Sequence, residues 1–221
     1  MLGKRIRRII DVLSGEQARR KDEMREYAFQ KNMDFQEVHD LGLINQMSGF
    51  KLFRYGNQRT IRNMISMKNL QENVYLFDYE YTISSGNSHR RFRQTVKLYD
   101  SKLLGLPEFK LTPEGFFSKL AEWFGRRDID FSEDIQFSDS FLLSGEFEPV
   151  IRRYFTNDVR QLCLQNHQFY MDGVNYYLSI HIRDEILRGA DLKAFDRLTD
   201  MVYEVLKLQS AKAGPEESLI L

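Results

Sequence analysis

The sequence has little cysteine and no long apolar run. Its single cysteine, Cys163, has no partner for an intramolecular disulfide, so the composition favours a reducing compartment. No stretch approaches the roughly 18 consecutive apolar residues that indicate a membrane-spanning helix. The first residues are basic, but no small-residue cleavage site follows them, so they do not predict a signal peptide. We therefore expect a soluble, cytoplasmic protein.

Net charge is also lacking. The 221 residues include 32 Lys and Arg and 32 Asp and Glu, which gives a formal net charge of zero. Such a chain has no overall field to attract nucleic acid or an anionic membrane, so any such contact needs a local patch. We therefore do not expect nucleic acid as a partner. The expected partner is a protein, whose identity the sequence does not give.

Motifs for cofactors and metals are missing as well. The glycines form neither the dinucleotide fingerprint Gly-x-Gly-x-x-Gly nor a phosphate-binding loop. No two histidines are spaced as paired zinc ligands, so no cofactor is predicted. His181 alternates with Leu178 and Ile180 in a predicted strand, which indicates a surface or edge position. Cys163 follows Leu162 in a predicted helix, which indicates a buried, inert thiol.

The composition nevertheless supports a large core, with 42% hydrophobic and 13% aromatic residues. The periodicity predicts an α+β fold with an antiparallel sheet, formed by a four-strand meander and a C-terminal hairpin. Helices are expected on one face, with an N-terminal helical extension. The predicted meander strands are Phe50–Phe53, Thr60–Lys68, Val74–Ile83 and Arg91–Tyr99. The predicted units are residues 1–32 (extension), 33–209 (domain, with a subdivision near residue 106) and 210–221 (flexible tail).

Three local signals refine this plan. Ser14–Gly15 predicts a break between two N-terminal helices. Thr112 and Pro113 are typical of an N-cap and first helical position, and Gly125 would end that helix. Asp172–Gly173 lies between apolar runs and predicts a tight hairpin turn.

Alternation along the third and fourth strands sorts their side chains onto two faces. One face of the third strand is apolar and consists of Tyr75, Phe77, Tyr79, Tyr81 and Ile83. The other face carries Asp78 and Glu80, which antiparallel pairing places among Arg93 and Lys97. We expect the aromatic face to be core and the ionic face to be largely solvated.

Two carboxylate pairs suggest a metal-dependent alternative. Asp78 and Glu80 share a strand face, and Asp128 and Asp130 have the same spacing. Four converging carboxylates suit a hard divalent cation and would allow chemistry on a phosphate-containing substrate. Neighbouring arginines and lysines favour paired, solvated carboxylates instead, so a metal site is not the preferred interpretation.

The arginines of the meander suggest a second alternative. Arg59, Arg62, Arg91 and Arg93 are interleaved with aromatic residues and predict a surface that binds an anion or nucleic acid. Pairing of these arginines with Asp78 and Glu80 is the simpler interpretation. The amphipathic segment 1–13 offers a third surface, because a basic helix of this kind makes weak peripheral contact with an anionic inner membrane.

The region from Arg54 to Phe155 resembles a family of uncharacterised bacterial proteins. The residues that carry the resemblance are Arg62-Asn63, Phe77-Asp78-Tyr79-Glu80-Tyr81, Gln94-Thr95-Val96, Phe109, Pro113-Glu114, Asp128-Ile129-Asp130-Phe131 and Phe141 through Gly145. Relatives often carry N-terminal membrane-spanning helices, whereas this chain starts with its basic amphipathic segment. The resemblance implies a fold and a bacterial origin, but no catalytic residue. A non-enzymatic interaction or accessory domain is therefore the leading hypothesis.

Overall fold

The computed structural model describes residues 2–37, 41–86, 88–114 and 128–217. The helices in these ranges are α1 (Leu2–Lys31), α2 (Leu41–Gln46), α3 (Lys51–Arg54), α4 (Ile135–Ser140), α5 (Glu148–Tyr154), α6 (Asn157–Leu164) and α7 (Gly189–Glu217). The strands are β1 (Asp34–Gln36), β2 (Asn57–Lys68), β3 (Glu72–Ser85), β4 (Ser88–Ser101), β5 (Leu106–Pro113), β6 (Phe141–Gly145), β7 (Phe169–Asn175) and β8 (Tyr177–Ile182). They form one sheet in the order β1-β2-β3-β4-β8-β7-β5-β6. Every pairing is antiparallel, which confirms the predicted α+β class.

The long hairpin of β3 and β4 forms the middle of the sheet. Its register is continuous from the Glu72–Ser101 pair to the Ser85–Ser88 pair. Strand β8 pairs with the other edge of β4 and so connects the meander to the C-terminal hairpin within one sheet. The division of the chain into units at residues 32, 106 and 209 stays a prediction.

The prediction of a first strand at Phe50–Phe53 is wrong. These residues start the short helix α3, in which the Tyr55 N–H donates to the Lys51 carbonyl at 3.0 Å. Leu52 and Phe53 are buried, as they would be in a strand. A short apolar run fits a buried strand and a buried helical turn equally well, so periodicity could not separate the two.

Helices cover both faces of the sheet rather than one. The short helices α2 and α3 pack on the aromatic face of β2, β3 and β4, where Phe53 contacts Phe77 and Tyr79. The long helices α1 and α7 pack on the opposite face, together with α4, α5 and α6. The alternation of side chains therefore correctly predicted the aromatic core but missed a second core behind the ionic face.

Strand β2 carries two bulges that shape the ionic face. Between Arg62 and Ile65, β2 has one more residue than the facing stretch of β3, and Asn63 has a φ of 50°. A second extra residue follows Asn57, where Gln58 has a φ of 52°. Bulges of this kind re-aim side chains and are frequent next to functional sites. Here they lie on either side of Arg62.

The predicted turn at Asp172–Gly173 is also wrong. β7 runs through both residues, and the chain reverses at Asn175 and Tyr176, where Asn175 has a φ of 50°. A Cβ on Gly173 would lie only 2.3 Å from a ring carbon of Phe109. Glycine in a strand interior often marks such a close approach rather than a turn.

The N-terminal region forms one helix, because α1 continues through Ser14 and Gly15 without a break. Thr112 and Pro113 belong to β5 rather than to a helix cap. Residues 115–125 of that predicted helix lie outside the described residues. α5 begins at Glu148 with Pro149 in its first turn, where proline is tolerated.

Candidate functional site

The ionic face of β3 and β4 is buried, which corrects the expectation that it is solvated. Asp78 and Glu80 are each 3% exposed and Lys97 is 1% exposed. The alternation of side chains in the sequence correctly predicted which residues share this face. It could not show that α1 and α7 fold back over the face and exclude water from it.

Asp78 is held by groups from three different elements. Arg20 of α1 donates from Nε to Oδ2 at 2.9 Å and from Nη2 to Oδ1 at 2.8 Å. The bulge residue Asn63 donates its side-chain amide to Oδ2 at 3.1 Å, and the Thr95 hydroxyl lies 3.3 Å from Oδ1. Both carboxylate oxygens are thus occupied by protein donors.

Lys97 makes the corresponding contact with α7. Its ammonium group binds Asp196 and lies 3.0 Å from Oδ1 of Asp200. Lys31 of α1 adds an ion pair with Asp196 at 2.8 Å, and Tyr27 donates to the same carboxylate at 2.7 Å. Burial opposes ionisation of Asp196, but these donors, with Lys97 first, hold its pKa below the usual value. The ionic face therefore binds both long helices to the sheet.

Glu80 lies at the open end of the same face and contacts three arginines. Arg91 donates from Nη2 to Oε2, and Arg93 donates from Nε to Oε1 at 2.8 Å. Nε of Arg62 lies 3.6 Å from Oε2, beyond hydrogen-bonding distance, and makes no hydrogen bond. Burial alone would raise the pKa of Glu80, but the arginines outweigh burial and lower it. We call Arg62, Arg91 and Arg93 around Glu80 the arginine cluster.

The arginine cluster carries more positive than negative charge. Three guanidinium groups face one carboxylate, which leaves a formal surplus of two positive charges. The side chains of Arg62, Arg91 and Arg93 are 38%, 53% and 35% exposed, whereas Glu80 is almost completely enclosed. The surplus charge is therefore available to a ligand in solution.

A cleft of about 220 Å³ opens beside the arginine cluster, between α1 and the strands. Arg62, Glu80 and Arg93 line it from the sheet, and Lys21 lines it from α1. Asn63 and Asp78 lie along the same cleft, so the β2 bulge contributes to its wall. The charged side chains of the cleft carry a formal surplus of one positive charge, with Arg20, Lys21, Arg62 and Arg93 against Glu37, Asp78 and Glu80.

Arg59 does not join this cluster. Its Nη1 donates to the carbonyl oxygen of Phe53 at 2.6 Å, near the end of α3. It thereby satisfies a carbonyl of the last helical turn, a common role of arginine at helix C-termini. The structure therefore brings together three of the four arginines proposed from the sequence.

The four candidate metal-binding carboxylates do not converge. Asp128 accepts a hydrogen bond from the Leu143 N–H of β6 at 3.1 Å, whereas Asp78 and Glu80 lie on β3. β3 and β6 are separated by five strand spacings, or roughly 24 Å. Partial burial, with a smaller contribution from Asp130, raises the pKa of Asp128 to about 6. In the described ranges, no three His, Cys, Asp or Glu residues are placed to hold a metal.

Two other residues considered from the sequence are buried. Cys163 is fully enclosed, and burial raises its pKa to about 12, so the reactive thiolate is absent at neutral pH. His181 is 5% exposed, which contradicts its predicted surface position. Its face was predicted correctly, but that face is covered.

Sequence reasoning missed Arg20 and Asp196, which bind the helices to the sheet. A signal was present, because Arg20, Met24, Tyr27 and Ala28 share one stripe of α1 at helical spacing. Asp196 follows Leu192 by four residues on the buried stripe of α7. A charge inside an apolar stripe indicates a buried ion pair, although it does not identify the partner.

Comparisons with known proteins give one distant fold relationship. No family model and no curated protein sequence matches this chain. Among solved structures, the mycobacterial trehalose monomycolate transport factor A has a similar fold, with a TM-score of 0.55 and 11% sequence identity. The match covers 86% of this chain and 93% of that one. At this identity the likeness shows the fold alone, and the resemblance to a bacterial family stays a prediction.

None of the described helices is long and apolar enough to cross a lipid bilayer.

Proposed function

We propose that this chain is a non-enzymatic accessory domain of a bacterial cell, and that it binds an acidic segment of a protein partner through the arginine cluster. The observation that carries the proposal is the arrangement of Arg62, Arg91 and Arg93 around the enclosed Glu80. This arrangement combines exposed positive charge with fixed geometry. We place the protein in the cytoplasm or at the inner face of the membrane.

Glu80 supports the proposal because it orders the arginines in advance. A free arginine side chain loses rotamer freedom when it binds a ligand, and that loss weakens affinity. Glu80 holds Arg91 and Arg93 by hydrogen bonds before any ligand arrives. Guanidinium groups held in this way can offer their remaining N–H donors to carboxylates with defined geometry.

The state of the buried carboxylates supports a binding role rather than catalysis. The oxygens of Asp78 accept from Arg20 and Asn63, and those of Glu80 accept from Arg91 and Arg93. Burial raises the pKa of Glu80, but Arg91 and Arg93 lower it by more, which makes this carboxylate a weaker base. A metal site needs oxygens that point to a common centre. Ion pairs that connect helices to a sheet instead stabilise one rigid arrangement.

The fold relationship is consistent with an accessory role. The solved structure with a similar fold is described as a transport factor, and the match covers most of both chains. A fold alone does not determine function, so we take from this relationship only the general idea of an accessory protein. The choice of an acidic protein segment comes from the surplus positive charge of the arginine cluster.

The proposal can be tested by fluorescence anisotropy with a labelled glutamate-rich peptide and a glutamine-rich peptide of the same length. The matched variants are Arg91→Gln, which belongs to the cluster, and Arg90→Gln, which lies one residue earlier on the other face. We expect R91Q to weaken binding of the acidic peptide about tenfold, because a hydrogen bond between charged groups contributes about 1.5–3 kcal/mol. R90Q should bind like the unaltered chain.

Salt dependence provides a second criterion. Binding should weaken as ionic strength rises, and the glutamine-rich peptide should not bind at any salt concentration. Equal losses in R91Q and R90Q would indicate a diffuse charge effect and would overturn the assignment of the surface. Equal binding of both peptides would overturn the proposed ligand chemistry.

A second candidate role, weak peripheral contact with an anionic membrane, is supported by the continuity of α1. Residues 2–13 of the basic segment belong to the same helix that contributes Arg20 and Met24 to the buried face. A membrane contact of this segment would therefore hold the domain close to the membrane surface. Flotation with anionic and neutral vesicles, using the intact chain and an Arg7→Glu/Arg8→Glu variant, tests this role. Equal recovery of both proteins on anionic vesicles would contradict it.

A further inference from the structure

The aromatic face of the sheet becomes polar beyond β4. There the register pairs Tyr170 with His181, Asp172 with Ser179, and Lys110 with Asp172. The Tyr170 ring is stacked on the His181 ring, with centroids 5.1 Å apart. We call these five residues the polar patch. It lies on the opposite face of the sheet from the arginine cluster.

The polar patch contains buried polar atoms without partners. Ser179 is completely enclosed, and its Oγ makes no hydrogen bond. Nδ1 of the buried His181 has no partner either. Nε2 of Gln94, on the same face of the adjacent strand β4, is a third such atom. Buried polar groups are almost always satisfied in native proteins, so several neighbouring exceptions require an explanation.

Positive charge surrounds these atoms. Lys110 pairs with Asp172 at 3.0 Å, and its side chain retains 22% exposure, so the patch is accessible from solvent at this point. Burial and the nearby charges of Lys110 and Arg183 lower the pKa of His181 to about 3, which keeps the imidazole neutral. Burial and the same Lys110 also lower the pKa of Lys51 of α3.

These relationships define a second site with a surplus of positive charge. Lys51, Lys110 and Arg183 provide three cationic groups near the carboxylates of Asp172 and Glu108, which leaves a formal surplus of one positive charge. A neutral imidazole and a serine hydroxyl both have an N–H or O–H to donate. Cations at the rim and neutral donors in the interior form an arrangement that suits an oxyanion, because charge-assisted hydrogen bonds to oxyanions are strong.

We propose that the polar patch binds a small oxyanion, a carboxylate or a phosphate group, with Ser179 and His181 donating to its oxygens and Lys51 and Lys110 supplying the charge. This site is independent of the proposed partner surface, since a different face of the sheet carries it. A bound oxyanion would satisfy the buried Ser179 hydroxyl and the His181 ring. The shared chemistry is an oxygen anion small enough to approach Ser179 and His181 on the face of strands β7 and β8.

The test uses the full chain with ¹⁵N-labelled histidine in a buffer free of oxyanions, titrated separately with inorganic phosphate and with acetate at constant ionic strength. We expect saturable shifts of the His181 ring signals with at least one of the two anions, while His89 and His167 remain unchanged. The anion that saturates at the lower concentration identifies the phosphate or carboxylate class. Linear shifts of equal size at His89, His167 and His181 would overturn the proposal.

Substitutions separate binding from folding. Ser179→Ala removes an unsatisfied hydroxyl, so the anion-free variant should have an unchanged or higher melting temperature, while its affinity for the anion falls about tenfold. Lys51→Met should also weaken binding, and the exposed Lys193→Met on α7 is the matched control. Lys110→Met is avoided because it would leave Asp172 buried without its partner.

Each outcome is informative. Unchanged affinity in both S179A and K51M would overturn the site, and so would a fall in the melting temperature of anion-free S179A. R91Q should leave the anion titration of the His181 ring signals unaffected, because Arg91 lies on the other face of the sheet. Failure of acidic peptide binding in R91Q and failure of anion binding in S179A are therefore distinguishable results.

Discussion

Arg20 of α1 and Asp78 of β3 form a two-point ion pair in the interior, with distances of 2.8 and 2.9 Å, although 58 residues separate them in sequence. Arg20 is 1% exposed. The pair fixes one long helix on the ionic face, as Lys97 and Asp196 fix the other. Specific charge pairs thus position these helices in addition to apolar contacts.

Replacement of Arg20 by methionine should destabilise the protein strongly. The substitution preserves much of the side-chain length but leaves the Asp78 carboxylate buried without its main partner. Loss of one partner of a buried ion pair typically costs about 3–5 kcal/mol. Urea unfolding followed by circular dichroism measures the change in the free energy of unfolding.

Two controls accompany this measurement. Arg25→Met removes an exposed arginine paired with Asp22 on the same helix and should cost less than about 1 kcal/mol. The double variant R20M/D78L removes both charges and should recover part of the loss. If R20M and R25M were equally stable, the Arg20–Asp78 pair would not be buried.

Replacement of Gly15 by alanine should stabilise the protein. Gly15 lies inside α1, its φ is not positive, and beyond the adjacent helix backbone no described atom lies within 4 Å of the position that an alanine Cβ would take. Alanine is favoured over glycine in a helix interior by about 1 kcal/mol. Thermal unfolding of G15A checks this, with Gly86→Ala as the opposite control because Gly86 has a φ of 56°. A loss of stability in G15A would instead favour a break at this position.

Replacement of Gly173 by alanine should destabilise the protein by about 1–3 kcal/mol through overpacking against Phe109. The additional change Phe109→Leu should reduce this effect, because it removes the ring carbons that the new methyl group would meet. Unfolding free energies of the two variants provide the comparison. An equal cost with and without F109L would show that the strain arises in the backbone rather than against the ring.

His181 should make stability depend on pH. Its folded-state pKa of about 3 lies below the unfolded value of about 6.5, so the unfolded state binds more protons between these values. The contribution of His181 is therefore constant above about pH 6.5, and stability falls as pH decreases from there towards 3. The limiting slope is about 1.4 kcal/mol per pH unit.

Unfolding free energies at several pH values, for the unaltered chain and His181→Gln, test this contribution. H181Q should show a smaller fall in stability between about pH 6.5 and 4, with little difference in slope above pH 7. His167→Gln is the control, because His167 is exposed and its Nδ1 lies 3.2 Å from the Ser140 hydroxyl. Parallel pH profiles for the unaltered chain and H181Q would contradict the buried, neutral state of His181.

The sequence allowed the central strands, their faces and the fold class to be predicted, because side-chain alternation is a local property. It did not reveal that both faces are covered, since coverage depends on where distant helices pack. Asp78, Glu80 and His181 were each assigned to the correct face and wrongly expected at the surface. In the same way, the sequence predicted one group of four arginines, and only the fold shows that Arg59 lies apart from the other three.

Two local signals proved wrong for a related reason. Asp172–Gly173 is typical of a turn, yet Gly173 is required in a strand by its contact with Phe109. Phe50–Phe53 is apolar enough for a strand, yet the adjacent aromatic face provides a site for a helical turn. In both cases a tertiary contact overrides the local preference.

The central claim is that the arginine cluster, and no other basic surface, receives an acidic partner segment. The most direct measurement follows the arginine Nε–Hε resonances of the ¹⁵N-labelled chain while the glutamate-rich peptide is added. The account predicts saturable shifts of Arg62, Arg91 and Arg93, with Arg90 and Arg183 unchanged and Arg20 still protected within its pair with Asp78. Shifts centred on Arg90 and Arg183, or no saturable shift in the cluster, would contradict it.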